Sequence, residues 1–159
     1  MRFLWDDDYL YVAVEVEDDN AGILQEGEQI WYQDGLQFLI DPVRTSAQKV
    51  GKYDYALGKG NKGPQAWSYL SADAAAPTGE VKDMKIAIEQ PKPGSGTRIY
   101  EIAIPWSRLA PFKPEAGANL GLTLLLNEDD GNNRDSYMMW FANASTKDVD
   151  TVGDLILLK

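Results

Sequence analysis

The sequence predicts an all-β fold: an antiparallel β-sandwich, jelly-roll or immunoglobulin-like, of about ten short strands with minimal helix. Three observations carry that expectation. Apolar residues recur at every second position in one short segment after another, the period of a half-buried strand. Clusters of Gly, Pro, Asp and Asn separate those segments, and these residues turn a chain most readily. Leu120 to Leu126 is nearly all apolar, as a central strand covered on both faces would be. Short strands with turn residues between them pack as a sandwich or a barrel.

The elements follow in order. Arg2-Phe3-Leu4-Trp5 reads as a strand, and Asp6-Asp7-Asp8 turns the chain back. Tyr9 to Glu17 alternates cleanly, with Leu10, Val12, Val14 and Val16 on one face and Tyr11, Ala13, Glu15 and Glu17 on the other. In Leu36 to Asp41, closed by Pro42, Leu36, Phe38 and Ile40 share one face while Gln37 and Leu39 share the other. Lys52 to Leu57 places Tyr53 and Tyr55 into the sheet and Asp54 on the opposite side. Gly58 to Gly63 and Ser71 to Lys82 read as polar loops, with Trp67 in a strand between them. Met84 to Glu89 and Arg98 to Ile104 are strands joined by the Pro/Gly turn Gln90 to Gly96. Pro105 opens a single helical turn through Leu109, which Pro111 ends. Tyr137 to Phe141 and Leu155 to Leu158 supply the last strands. Trp5, Trp106 and Trp140 are expected in the core. Because the first residues already read as a strand, the N-terminus is expected to be a cut within a larger protein.

The 159 residues fit one domain with a substantial core. At 44% apolar and 25% charged the composition is that of a soluble globular domain. A formal charge of −10 repels phosphate backbones and anionic lipid, so nucleic acid and membrane surfaces are not expected partners. No apolar stretch approaches the ~20 residues of a membrane-spanning helix. The chain has no cysteine, which excludes disulfides and thiolate chemistry. Histidine is absent as well, and that removes Ser-His-Asp catalysis, histidine zinc sites and histidine haem ligation. What remains is carboxylate, hydroxyl, amide, cation and ring.

Ile30-Trp31-Tyr32-Gln33-Asp34-Gly35 places a large ring in a polar, glycine-containing turn immediately before a strand. Such a ring can stack on the flat apolar face of a sugar while neighbouring amides and carboxylates bond to its hydroxyls. It can equally cover one end of the sandwich, and the local residues leave both readings open. Gln37, turned away from Leu36 and Phe38, faces solvent or ligand. Arg98 and Arg134 read as surface ion-pair partners, and Arg134, following an acidic loop, is within reach of a ligand.

Five pieces of the chain, in order, are similar to family 9 carbohydrate-binding modules and their relatives in the DOMON-like superfamily. They are Trp5 to Val16, Trp31 to Asp41, Tyr100 to Trp106, Leu120 to Gly131 and Val152 to Leu157. Each piece is weak alone; the ordered set is specific for fold and superfamily. Members of this family usually begin with a further segment before the first of these strands. The resemblance implies a sandwich that clamps a terminal sugar between two tryptophans. Carried over by position, Trp31 matches the first tryptophan and Gln37 a sugar-binding Glu. Asp54 falls near a binding Arg, and Asn143 near a binding Asn. The segment that would hold the second tryptophan reads Asn143-Ala144-Ser145-Thr146-Lys147 and contains no ring. Trp67 and Tyr32 are the candidate replacements for that wall.

The function expected is therefore non-catalytic binding of a neutral polysaccharide or oligosaccharide, a plant-type β-glucan or xylan, at chain ends or within the chain. The domain would be a covalently linked module of a secreted, bacterial-type polysaccharide-degrading enzyme. Alternatives are an adhesion or structural sandwich without a small ligand, and a small glycoside hydrolase using a carboxylate pair. Haem binding is not expected without histidine. The family often holds structural calcium, and oxygen donors suit that ion; Asp18, Asp19 and Asp129 are its candidate ligands. Asn127 to Asn133 lacks the spacing of an EF-hand loop. An edge strand left open by the missing first segment is expected to allow homodimerisation by strand addition.

Overall fold

Alternating residues become eleven strands in a computed structural model that describes residues 1–18, 20, 22, 24–44, 52–89, 96–142, 145 and 152–159. They are β1 (Arg2–Trp5), β2 (Tyr9–Glu17), β3 (Gly35–Asp41), β4 (Tyr53–Gly60), β5 (Gly63–Leu70) and β6 (Gly79–Val81). Then follow β7 (Lys85–Glu89), β8 (Thr97–Pro105), β9 (Asn119–Glu128), β10 (Ser136–Met139) and β11 (Gly153–Ile156). The only helical pieces among the described residues are two 3₁₀ turns, Gly27–Tyr32 and Trp106–Leu109. The expected all-β antiparallel sandwich is what forms.

One sheet has four strands in the order β1-β2-β8-β7. The other has seven, running β10-β9-β3-β4-β5-β6, with β11 also paired to β9. β9 is long enough to take β11 along Asn119–Leu122 and β10 along Leu125–Glu128, both opposite its β3 side. Every pairing is antiparallel.

The core lies between the sheets. Leu10, Val12, Val14 and Val16 of β2 face Leu36, Phe38 and Ile40 of β3, Tyr53, Tyr55 and Leu57 of β4, and Leu120, Leu122 and Leu124 of β9 in one buried cluster. Fully burying each such side chain contributes roughly 1.5–3 kcal/mol. Tyr53 and Tyr55 stack with ring centroids 6.0 Å apart. Their hydroxyls donate to the carbonyls of Ala110 at 2.5 Å and Arg108 at 3.0 Å, so the large sheet is tied to the corner that follows β8. Burial pushes the Tyr55 phenol up, consistent with a hydroxyl that stays protonated and donates.

Three expectations need correction. The stretch from Gly58 to Gly63 is not a loop: β4 runs on to Gly60, Asn61 and Lys62 make a two-residue turn, and β5 returns from Gly63. The polar stretch after Ser71 contains β6. Trp140 is not core but 48% exposed. β10 ends at Met139, and the Trp140 amide then donates to Leu124 at 2.9 Å. Its ring is left stacked on Phe3 at the sandwich edge, centroids 6.3 Å apart. Trp5 and Trp106 do pack against or within the core, with indole N–H groups donating to Leu158 and Asp6 carbonyls.

Candidate functional site

The outer face of the large sheet carries a cleft. On β3, Leu36, Phe38 and Ile40 point inward, so Gln37 and Leu39 point outward. Asp54 on β4, Tyr69 on β5 and Leu125 on β9 emerge on the same side by the same parity, and together with Trp31, Arg134 and Ser145 they line a cavity of about 220 Å³. Gln37 pairs in register with Ala56, which puts Asp54 on its diagonal. The Gln37 Nε2 donates to Asp54 Oδ1 at 2.8 Å. Both side chains are buried on the cleft floor. A buried carboxylate must be hydrogen-bonded, and here the floor presents it together with an amide.

The 3₁₀ turn that carries Trp31 is clamped to the β4–β5 hairpin. Glu26 accepts from the Asn61 amide at 2.6 Å and from the Gln65 side chain, and the Gly27 amide donates to Gln65 Oε1 at 2.9 Å. The Tyr69 hydroxyl donates to the Glu28 carbonyl at 2.5 Å, and Ile30 plugs into the core side. Gly27 has φ +59 and comes within contact of the Trp67 ring, where a Cβ would stand 3.5 Å from it. Trp67 therefore supports this turn from beneath and is not among the described residues lining the cleft. Tyr32 packs on Trp31 with centroids 3.7 Å apart, also outside that lining.

Arg134 forms the wall facing Trp31. Its guanidinium carbon lies 4.6 Å from the Trp31 ring centroid and 4.7 Å from that of Tyr137, and its Nη1 donates to Asn127 Oδ1 at 3.1 Å. Of the residues expected at the site, Trp31, Gln37 and Asp54 come together; Asn143 lies outside the described residues. Leu39 was placed on the Gln37 face by strand parity, whereas Leu125 was expected only within a strand covered on both faces. Tyr69 was not singled out, although it lies two residues beyond Trp67 in the strand expected there and so shares its face.

A second cluster lies at the mouth of β3, apart from that lining. Asp18, Asp34 and Glu128 bring carboxylate oxygens within 4.8 Å of one another. Arg98 of the small sheet enters it, with Nη1 3.1 Å from Asp18 and 2.7 Å from Asp34. The expected surface ion pair is thus a partly buried link between the two sheets. Asp34 also accepts the amides of Gly22 at 2.9 Å and Asp129 at 2.8 Å. Asp129 instead folds back on the Gly131 amide at 2.8 Å, and Asp19 is outside the described residues. Burial, then the charges of Asp18, Asp34 and Asp130, pushes the Glu128 carboxyl up to about 7.

The family described as "Carbohydrate family 9 binding domain-like" matches residues 1–159. The chain belongs to that family. As a family 9 carbohydrate-binding module it is 27% identical over 164 residues to endo-1,4-beta-xylanase A of Thermotoga maritima, all of this chain against 14% of the enzyme's length. The module's fold is similar to that of a family 9 module from Caldicellulosiruptor kristjanssonii in complex with glucose. The TM-score is 0.71 at 16% identity, covering 98% of this chain and 74% of that one. The cellotriose complex of a family 9 module from the same organism aligns at TM-score 0.71 and 18% identity, over 98% and 72% of the two chains.

Proposed function

We propose that this family 9 module binds the terminal sugar of a plant-type β-glucan or xylan without catalysing its hydrolysis. The observation that carries the reading is the cleft itself: the Trp31 ring and the hydrogen-bonded pair Gln37 and Asp54 line one cavity, an aromatic wall beside paired hydrogen-bonding groups. At about 220 Å³ it is smaller than the ~300–1,000 Å³ of sites for drug-sized ligands, which suits one ring at a chain end. Asp54 is the one carboxylate among the described lining residues, and a two-carboxylate hydrolysis would need a second beside it. The glucose and cellotriose complexes of the similar modules support the same ligand class. The likeness to part of a xylanase supports attachment to a secreted polysaccharide-degrading enzyme, where a tethered binder raises local substrate concentration.

Titration of tryptophan fluorescence with glucose, xylose, cellobiose and xylobiose tests the reading, alongside pull-down on insoluble cellulose and xylan. A saturable change that Trp31→Ala weakens about tenfold or more supports it, since ring stacking contributes on the order of 1–3 kcal/mol. No response from the folded protein to any of these glycans would overturn it.

For a structural ion, Asp18, Asp34 and Glu128 form the donor set we favour. Three carboxylates face one guanidinium, and hard oxygen donors of excess negative charge suit calcium. Calcium is expected to raise the melting temperature of the parent protein and to raise that of Glu128→Gln less; equal shifts would place the ion elsewhere.

A further inference from the structure

Four of the five arginines have a plain account: Arg44, Arg98 and Arg108 each contact a carboxylate, and Arg2 is exposed. Arg134 differs. Among the described residues its only polar partner is the Asn127 side-chain oxygen, and its guanidinium carbon lies over the Trp31 and Tyr137 rings. It is the one cation among the described residues lining the cleft. Burial pulls its guanidinium down from the ordinary value, and the groups that act against burial are the phenols of Tyr137 and Tyr32 rather than any carboxylate. In a chain of net charge −10, a half-buried arginine with no acid beside it among the described residues leaves strong donors turned to whatever enters the cleft.

Building on the sugar-binding reading above, we infer that the cleft selects a sugar unit bearing a carboxylate, a hexuronate, with Arg134 taking the carboxylate while Gln37 and Asp54 bond to ring hydroxyls. The two charges are divided by position. Asp54 lies on the floor, held by Gln37, whereas Arg134 stands on the wall across from it beside Trp31. A guanidinium matches a carboxylate with two parallel donors. Contact with the Trp31 and Tyr137 rings and the bond to Asn127 hold the guanidinium in place before the ligand arrives, so little rotamer freedom is lost on binding. The negative surface does not forbid such a ligand, because exposed charges beyond about 8–10 Å are screened at physiological ionic strength.

The test compares D-glucuronate, D-glucose and D-glucuronamide by calorimetry, the amide keeping the shape of the acid without its charge. Glucuronate is expected to bind about tenfold more tightly than the other two, with the advantage shrinking as sodium chloride is raised. In Arg134→Gln the three affinities should converge, while Arg134→Lys should retain part of the preference; circular dichroism and melting confirm that both variants are folded. Equal affinities in the parent protein, or a preference that survives Arg134→Gln, overturn the inference and leave the sugar site standing. If none of the three sugars nor any neutral disaccharide binds, the sugar-binding reading falls and this inference falls with it.

Discussion

Glu128 ends β9 in the company of Asp18, Asp34 and Asp130, and its raised carboxyl has a pH consequence. The group titrates near 4.5 in its ordinary state and near 7 in the folded chain. Between those values the native protein holds a proton that the unfolded chain has released. Its contribution to stability is therefore complete below about 4.5 and fades as pH rises through about 7. Glu128→Gln removes the fade. The variant's melting temperature relative to the parent is expected to climb from pH 4.5 to pH 7.5, and a flat difference across that range would refute the assignment. At this scale the sequence exposed part of the site. Trp31 stood out because it is a ring in a polar turn before a strand, a place that suits a sugar face as well as the end of the sandwich, and because it matches the family's first tryptophan. Gln37 and Asp54 stood out because period two puts them opposite the core residues of their own strands. Asp34 and Glu128 did not stand out as partners, since they lie 94 positions apart and only the β3–β9 pairing brings them together.

Among the elements, the approach to β3 is the tightest. A Cβ on Gly35 would stand 2.4 Å from the Leu57 carbonyl oxygen of β4, an atom fixed by the sheet ladder. Gly35→Ala must push the two strands apart where β3 begins. It is expected to destabilise by about 1–3 kcal/mol, as overpacking does, read from the urea midpoint. Glycan affinity should fall with it, because Asp34 and the Trp31 turn lie directly upstream. Strands with clean alternation, β2 and β3 above all, were legible in the sequence. The β4–β5 hairpin was not. Gly58, Gly60 and Gly63 look like a loop, yet Gly58 and Gly60 lie in β4, where Gln33 fills the space beside Gly58 and Gln65 the space beside Gly60, and Gly63 opens β5 at φ +124. Trp140 misled for the opposite reason, its apolar run Met138 to Phe141 continuing past the end of β10, where the sheet no longer covers it.

For the whole molecule, the sandwich and the cleft are separable. Trp31 sits outside the central core cluster, so Trp31→Ala is expected to melt within a few degrees of the parent when no ligand is present. Ligand at about one hundred times the parent's dissociation constant should stabilise the parent by roughly 2.7 kcal/mol and Trp31→Ala, bound about tenfold more weakly, by only about 1.4 kcal/mol; an equal rise in both would locate binding elsewhere. Phe38→Ala, by contrast, opens the centre of the core and is expected to cost about 3–5 kcal/mol, measured by chemical denaturation. The two sheets are joined by the core and also by Arg98, which reaches from β8 to Asp34 at the mouth of β3.

β3 alternates inward Leu36, Phe38 and Ile40 with outward Gln37 and Leu39, and β9 sets Leu125 beside Gln37 on the outer face. A randomised library confined to positions 37, 39 and 125 would therefore vary recognition while the scaffold's inward letters stayed fixed. A single-residue deletion within β3 would exchange the two sets at once. Retargeting this module calls for substitutions at those outward positions, never for changes in strand length.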